Sequence, residues 1–131
     1  MYYCFRLRKG MDLKKEIELF VKDNNISGVI LSAVGCVDHL RFRLADGESS
    51  FESEGRFEIV SLMGTLSVDG VHLHISVSGE DGVTIGGHLQ DGCIVNTTAE
   101  ICLLSFDNYI FSREFDVSTG YKELVIKEKK M

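Results

Sequence analysis

The sequence predicts an α+β fold, a mixed and mainly antiparallel β-sheet with one long helix packed against it, and two observations carry that expectation. From Gly55 to Glu100 apolar and polar residues alternate with period two, as in half-buried strands, with breaks at the glycine-containing turns Asp69-Gly70, Gly79 to Gly82 and Asp91-Gly92. Near the N-terminus, in contrast, Leu13, Ile17, Phe20 and Val21 recur at helical spacing and form one apolar stripe. A stripe of that kind needs a sheet to cover. With 131 residues the chain is long enough to bury a core without staples, and one domain spanning 1–131 is expected.

In chain order, Tyr2 to Arg8 alternates as a first strand, Tyr3, Phe5 and Leu7 on one side and Cys4, Arg6 and Arg8 on the other. Lys9-Gly10 ends it, and Asp12 is placed to cap the helix by accepting from free amides of the first turn. Lys14, Lys15, Glu18 and Lys22 stay in water, and Asp23-Asn24-Asn25 stops the helix. The apolar run Val29 to Val34 predicts a strand buried on both faces, after which Gly35 permits a bulge. From His39 to Leu44 alternation predicts Leu40, Phe42 and Leu44 inside and His39, Arg41 and Arg43 outside. Ala45 to Glu54 is polar and predicts a surface loop, its acids Asp46, Glu48, Glu52 and Glu54 solvated rather than gathered on a metal. Beyond the central stretch, Ile94 to Phe106 predicts a long strand. Tyr109 to Phe115 and Tyr121 to Ile126 predict two closing strands, and Lys127 to Met131 a charged, frayed tail.

Apolar residues make up 44% and charged residues 26%, a balance that excludes a disordered chain. The net charge of −6 disfavours unaided attraction to polyphosphate. Cys4, Cys36, Cys93 and Cys102 stand singly among apolar residues without the spacing of a structural zinc site, and are expected as buried small hydrophobes in a reducing compartment. No stretch is long enough to cross a bilayer, and no export signal opens the sequence, so no membrane association and a cytoplasmic location are expected.

The central stretch carries a set of ordered motifs: Gly55-Arg56-Phe57-Glu58-Ile59, Ser61-Leu62-Met63-Gly64, His72-Leu73-His74-Ile75 and Gly86-Gly87-His88-Leu89. Together they resemble the PPC domain, the plant and prokaryote conserved domain, over nearly the whole chain from Phe5 to Leu124. In plants that domain is fused to AT-hook DNA-binding motifs; in bacteria and archaea it stands alone. The resemblance implies a homo-oligomer, specifically a trimer. It also marks Arg56, Phe57 and Glu58 as partner-interface residues, since the matching plant segment is associated with partner recognition. The AT-hook has a Gly-Arg-Pro core, whereas this chain contains no proline, so DNA binding by the chain alone is expected to be weak. A local basic face from Arg6, Arg8, Arg41 and Arg43 is the one feature in its favour.

Three of the four histidines fall in the central stretch. His72 and His74 are two apart on a strand and share a face, a plausible metal pair. Whether His88 joins them depends on the parity of the turn around Gly79 to Gly82: a two- or four-residue loop sends it to the other face, and a three- or five-residue loop or a bulge brings it alongside. Three histidines with an open fourth position would suit zinc or another divalent metal; the alternative is ordinary strand histidines hydrogen-bonded to their neighbours. Glu58 or Glu100 is the type of residue that orients a ligand's second nitrogen, although alternation alone makes Glu100 an outward strand residue. Gly86-Gly87 admits a close approach by a backbone or a ligand, but lacks the helix and lysine of a phosphate loop. No catalytic serine, histidine and acid constellation stands out, and no catalytic residue is assigned. The leading expectation is a non-enzymatic oligomeric binding module with a histidine-lined pocket for a metal or small ligand. The alternatives are a DNA-binding or transcription-regulatory protein and a small metal-dependent enzyme.

Overall fold

A computed structural model describes residues 1–130. Eight strands and one helix follow in the order β1 (Tyr2–Arg8), α1 (Leu13–Asp23), β2 (Gly28–Arg43), β3 (Ser50–Ser67), β4 (Gly70–Ser78), β5 (Thr84–Leu89), β6 (Ile94–Ser105), β7 (Tyr109–Asp116) and β8 (Tyr121–Glu128). The first six strands form one sheet in the order β1-β6-β2-β3-β4-β5, and β7 and β8 form a separate hairpin. Every strand pairing is antiparallel. The sheet curls back on itself, because β5 pairs with β4 along its length and with the end of β2 at Phe42↔Leu89 and Arg43↔His88.

The helix forms as its sequence dictates. Asp12 Oδ1 accepts from the Lys15 N–H at 3.1 Å, and Leu13, Ile17 and Val21 are buried against the sheet. Phe20 stacks on Phe5 with ring centroids 4.1 Å apart and meets Tyr3 edge-on at 5.6 Å, so the inward side of β1 is the one alternation assigned. Leu40, Phe42, Leu62, Leu73, Ile75 and Leu89 complete the core within the curled strands.

Four expectations need correction. Val29 to Val34 is not buried on both faces: Ile30 is buried, while Leu31 is 47% and Val34 55% exposed, because the helix covers only one side of the sheet. Leu44 is also exposed; it has left the sheet for the turn in which its N–H donates to the Ser49 carbonyl at 2.8 Å. The polar loop is correspondingly shorter, since Ser50 to Glu54 pair with Arg43 to His39 and Phe51 stacks on Phe42 at 5.0 Å. The four acids do not gather. Asp46 instead accepts from the Ser49 hydroxyl and from the Glu48 and Ser49 N–H groups, which hold its carboxyl at about 2. The closing hairpin is regular to Glu128, beyond the expected start of the tail, and Met131 lies outside the described residues.

A candidate metal centre of three strand histidines

The β4–β5 loop settles the parity question. Ser78 pairs with Thr84, which leaves five residues, 79–83, in the loop, and the register then sets His74 directly opposite His88. His72, His74 and His88 therefore share the face of the sheet that points away from the helix. Their ring centroids are 5.0, 5.1 and 5.6 Å apart, and one nitrogen from each ring can be chosen so that all lie within 4.8 Å of one another. Across the strands, Thr65 stands opposite His72, Met63 opposite His74 and Arg43 opposite His88.

Gly86 and Gly87 make this register possible. A Cβ on Gly86 would fall 2.1 Å from the Ile75 carbonyl oxygen of β4, and one on Gly87 would fall 2.5 Å from the Arg43 carbonyl oxygen of β2. The close approach that the glycine pair permits is thus to backbone on both sides, which wedges β5 between β4 and the end of β2.

Electrostatics favour the neutral form of two of the rings, His72 and His88. Burial, followed by the positive charge of Arg43, pushes His88 down to about 4. Burial, followed by the neighbouring His74 and Arg113, also lowers His72. A neutral imidazole keeps a lone pair, which is the form that ligates a metal. Among the described residues the Nδ1 of His88 is buried without a hydrogen-bond partner, so its desolvation is not offset there. The donor set thus fits a divalent ion such as zinc: three imidazole nitrogens, close enough to converge after small side-chain rotations.

The supporting acids are not those expected. Glu58 stands opposite Cys36 and Ser78, away from the rings, and Glu100 is exposed on β6 opposite Arg6. The acids that share a cavity with His72 and His88 are Asp69 and Glu123. His39 lies elsewhere, with Nε2 3.6 Å from Glu54 Oε1.

Arg56, Phe57 and Glu58 line a second cavity of about 490 Å³, together with Cys36 and Asn96. Arg56 pairs with Glu80 of the β4–β5 loop, Nε to Oε1 3.6 Å, rather than with Glu58. The expected basic face is divided among different partners. Arg6 donates to Thr98 Oγ1 at 3.0 Å, Arg41 to the Asp91 carbonyl at 3.4 Å, and Arg43 belongs to the histidine site. Of the cysteines only Cys93 is buried, where desolvation pushes its thiol up to about 11; Cys36 and Cys102 are half-buried, and Cys4 is exposed because it stands on the outward side of β1.

Residues 2–107 match the Plants and Prokaryotes Conserved (PCC) domain. The chain belongs to this family. A bifunctional protein GlmU of Synechococcus is 46% identical over 127 residues, 96% of this chain and 20% of that protein, so the chain spans about one fifth of the length of that relative. AT-hook motif nuclear-localized protein 8 of Arabidopsis thaliana is 27% identical over 113 residues, 79% of this chain and 29% of that protein. Among solved structures, a hypothetical protein from Salmonella enterica superposes with a TM-score of 0.94 at 34% identity, covering 99% of this chain and 95% of the other. A metal-containing protein from Archaeoglobus fulgidus superposes with a TM-score of 0.76 at 28% identity, covering 95% and 93%. The PCC match ends before β7 begins, so the hairpin that lends Arg113 and Glu123 to the histidine site lies outside it.

Proposed function

We propose that this PCC protein is a non-enzymatic oligomeric binding module in which His72, His74 and His88 hold a divalent metal, zinc by preference. The observation that carries this is the convergence of three imidazoles on one sheet face, with one nitrogen from each within 4.8 Å of the others. The metal-containing Archaeoglobus relative adds support at the level of the family. Three histidines leave a tetrahedral ion one open position, which suits a site that waits for a ligand.

Further copies of the same chain are the proposed partner. The sheet face that bears the histidines also bears exposed Val34, Val60 and Met63, Val60 at the β3 bulge between Ile59 and Ser61. Apolar residues left open on one side of a sheet are a motive to associate, and the family resemblance supplies the number three. Assembly through this face brings the metal near a subunit boundary. A DNA-associated role has kinship with the AT-hook plant protein in its favour, while the net charge of −6 opposes unaided binding to duplex.

Elemental analysis of the purified protein by plasma mass spectrometry, combined with its solution mass, tests both parts. One divalent ion per chain in a trimer is expected; a metal-free protein that takes up no zinc refutes the metal, and a stable monomer at micromolar concentration refutes the assembly.

A further inference from the structure

The histidine face opens on a cavity of about 420 Å³ whose lining includes Arg43 of β2, Arg113 of β7 and Lys122 of β8. That size lies in the roughly 300–1,000 Å³ range of small-ligand sites. Among the described residues none of these three cations forms an ion pair; the pairs present involve Lys14, His39 and Arg56 instead. This is unexpected in a chain with 20 acids against 14 lysines and arginines. Moreover, Arg43 Nε is buried without a hydrogen-bond partner, although a buried guanidinium donor ordinarily has one.

Arg113 is held in place without being neutralised. One of its Nη atoms donates to Thr65 Oγ1 at 2.9 Å, and its backbone N–H donates to Asp69 Oδ2 at 3.1 Å. The latter bond engages one of the two acids in the lining, the other being Glu123. Three cations thus face two carboxylates in the lining. The missing element is an acceptor with negative charge.

We infer that this cavity binds a small ligand through a carboxylate or phosphate group, with Arg43 and Arg113 as the recognition groups and Lys122 as a further point charge. Guanidinium groups suit such oxyanions because their planar fork matches two oxygens at once. The contribution of the metal rests on the reading above, with a ligand oxygen in the open position; the contribution of the cations does not. Arg113 and Lys122 stand beyond residues 2–107, so the closing hairpin contributes two of the three cations and the matched family domain contributes Arg43.

The test titrates the full chain at low ionic strength with two probes, inorganic phosphate and malonate, followed by calorimetry. Metal-stripped protein and protein loaded with one equivalent of zinc and freed of excess are compared. Saturable binding of at least one probe is expected in the stripped form, and tighter binding in the loaded form. Arg43→Gln and Arg113→Gln should each weaken stripped-form binding by about tenfold or more, as loss of a charge-assisted hydrogen bond does, and Lys122→Gln by less. Arg113→Gln and Lys122→Gln lie on the peripheral hairpin and guard against a folding defect in Arg43→Gln. His39→Ala should bind as the parent does. Preference for phosphate or for malonate identifies the ligand's anionic group, and either supports the inference. Zinc uptake without binding of either anion overturns the inference and leaves the metal reading standing. Anion binding without zinc uptake supports the inference and removes the metal reading. Equal anion affinity in all three cation variants overturns the inference.

Discussion

Replacing Gly86 with alanine isolates the contact that brings the histidines together. The added Cβ would meet the Ile75 carbonyl oxygen at 2.1 Å and Ser76 Cα at 2.8 Å, against an ordinary contact distance of 3.4 Å or more. Both atoms are backbone, so no rotamer change relieves the overlap, and β5 must move about 1 Å away from β4, a large step against the roughly 4.8 Å spacing of paired strands. Overpacking of this kind costs about 1–3 kcal/mol, and weakening one or two neighbouring ladder hydrogen bonds adds about 1 kcal/mol. A loss of about 2–4 kcal/mol in a chain of this size lowers the melting temperature by roughly 10 °C. Because the Ser76↔Gly86 pair is two residues from His74↔His88, the same displacement parts the ligands. Metal affinity should fall by about tenfold or more, the effect of disturbing groups that position ligands. Thermal unfolding of metal-free protein and a zinc titration well below the melting point give the two numbers. Gly82→Asn is the control, since Gly82 has φ +80, which asparagine tolerates, and an added Cβ there meets nothing within 4 Å. A Gly86→Ala protein that melts within about 2 °C of the parent and binds zinc equally well would refute the reasoning.

Other outcomes follow from single features. His72 and His88 titrate below their ordinary value in the folded chain, so protonation favours the unfolded state; the stability they contribute is whole above about pH 6.5 and is lost as pH falls toward about 4. Solvent screening of these partly exposed rings keeps the His88 share near about 1 kcal/mol, and urea unfolding of stripped protein at pH 7 and pH 5 should show a smaller difference for His88→Asn than for the parent. Thr97 is a β-branched residue at φ +64, so Thr97→Gly should stabilise the fold by about 0.5–1 kcal/mol, the relief of left-handed strain less the entropy of glycine, in the same urea assay; a loss of stability would refute it. Binding of random duplex should be no tighter than micromolar in about 150 mM salt, and a submicromolar dissociation constant by fluorescence anisotropy would contradict the charge argument.

The sequence made the strands, the helix and its cap legible because each is a local pattern. Leu13, Ile17 and Val21 need only helical spacing, and Tyr3, Phe5 and Leu7 only alternation. The same patterns placed His72 and His74 on one face but not His88, because that depended on whether the loop after Ser78 held an odd or an even number of residues. The continuous apolar run misjudged Val34, and alternation misjudged Leu44. An apolar side chain shows that it prefers burial, not that its own chain supplies a cover on both sides. Arg113, Lys122 and Glu123 gave no sequence signal for the site, since they reach it only through the packing of a hairpin far along the chain. Glu58 showed the opposite error, a residue of suitable chemistry on the wrong part of the sheet, whereas Glu100 is the outward strand residue that alternation made it.

The central claim is that His72, His74 and His88 act together as one metal site. Its most direct test is a zinc titration against a chromophoric chelator, with the parent chain and four variants, His72→Ala, His74→Ala, His88→Ala and His39→Ala. The account predicts one zinc per chain at pH 7 for the parent and for His39→Ala, and sharply weaker binding for each of the other three. Zinc binding by His88→Ala equal to that of the parent would contradict it.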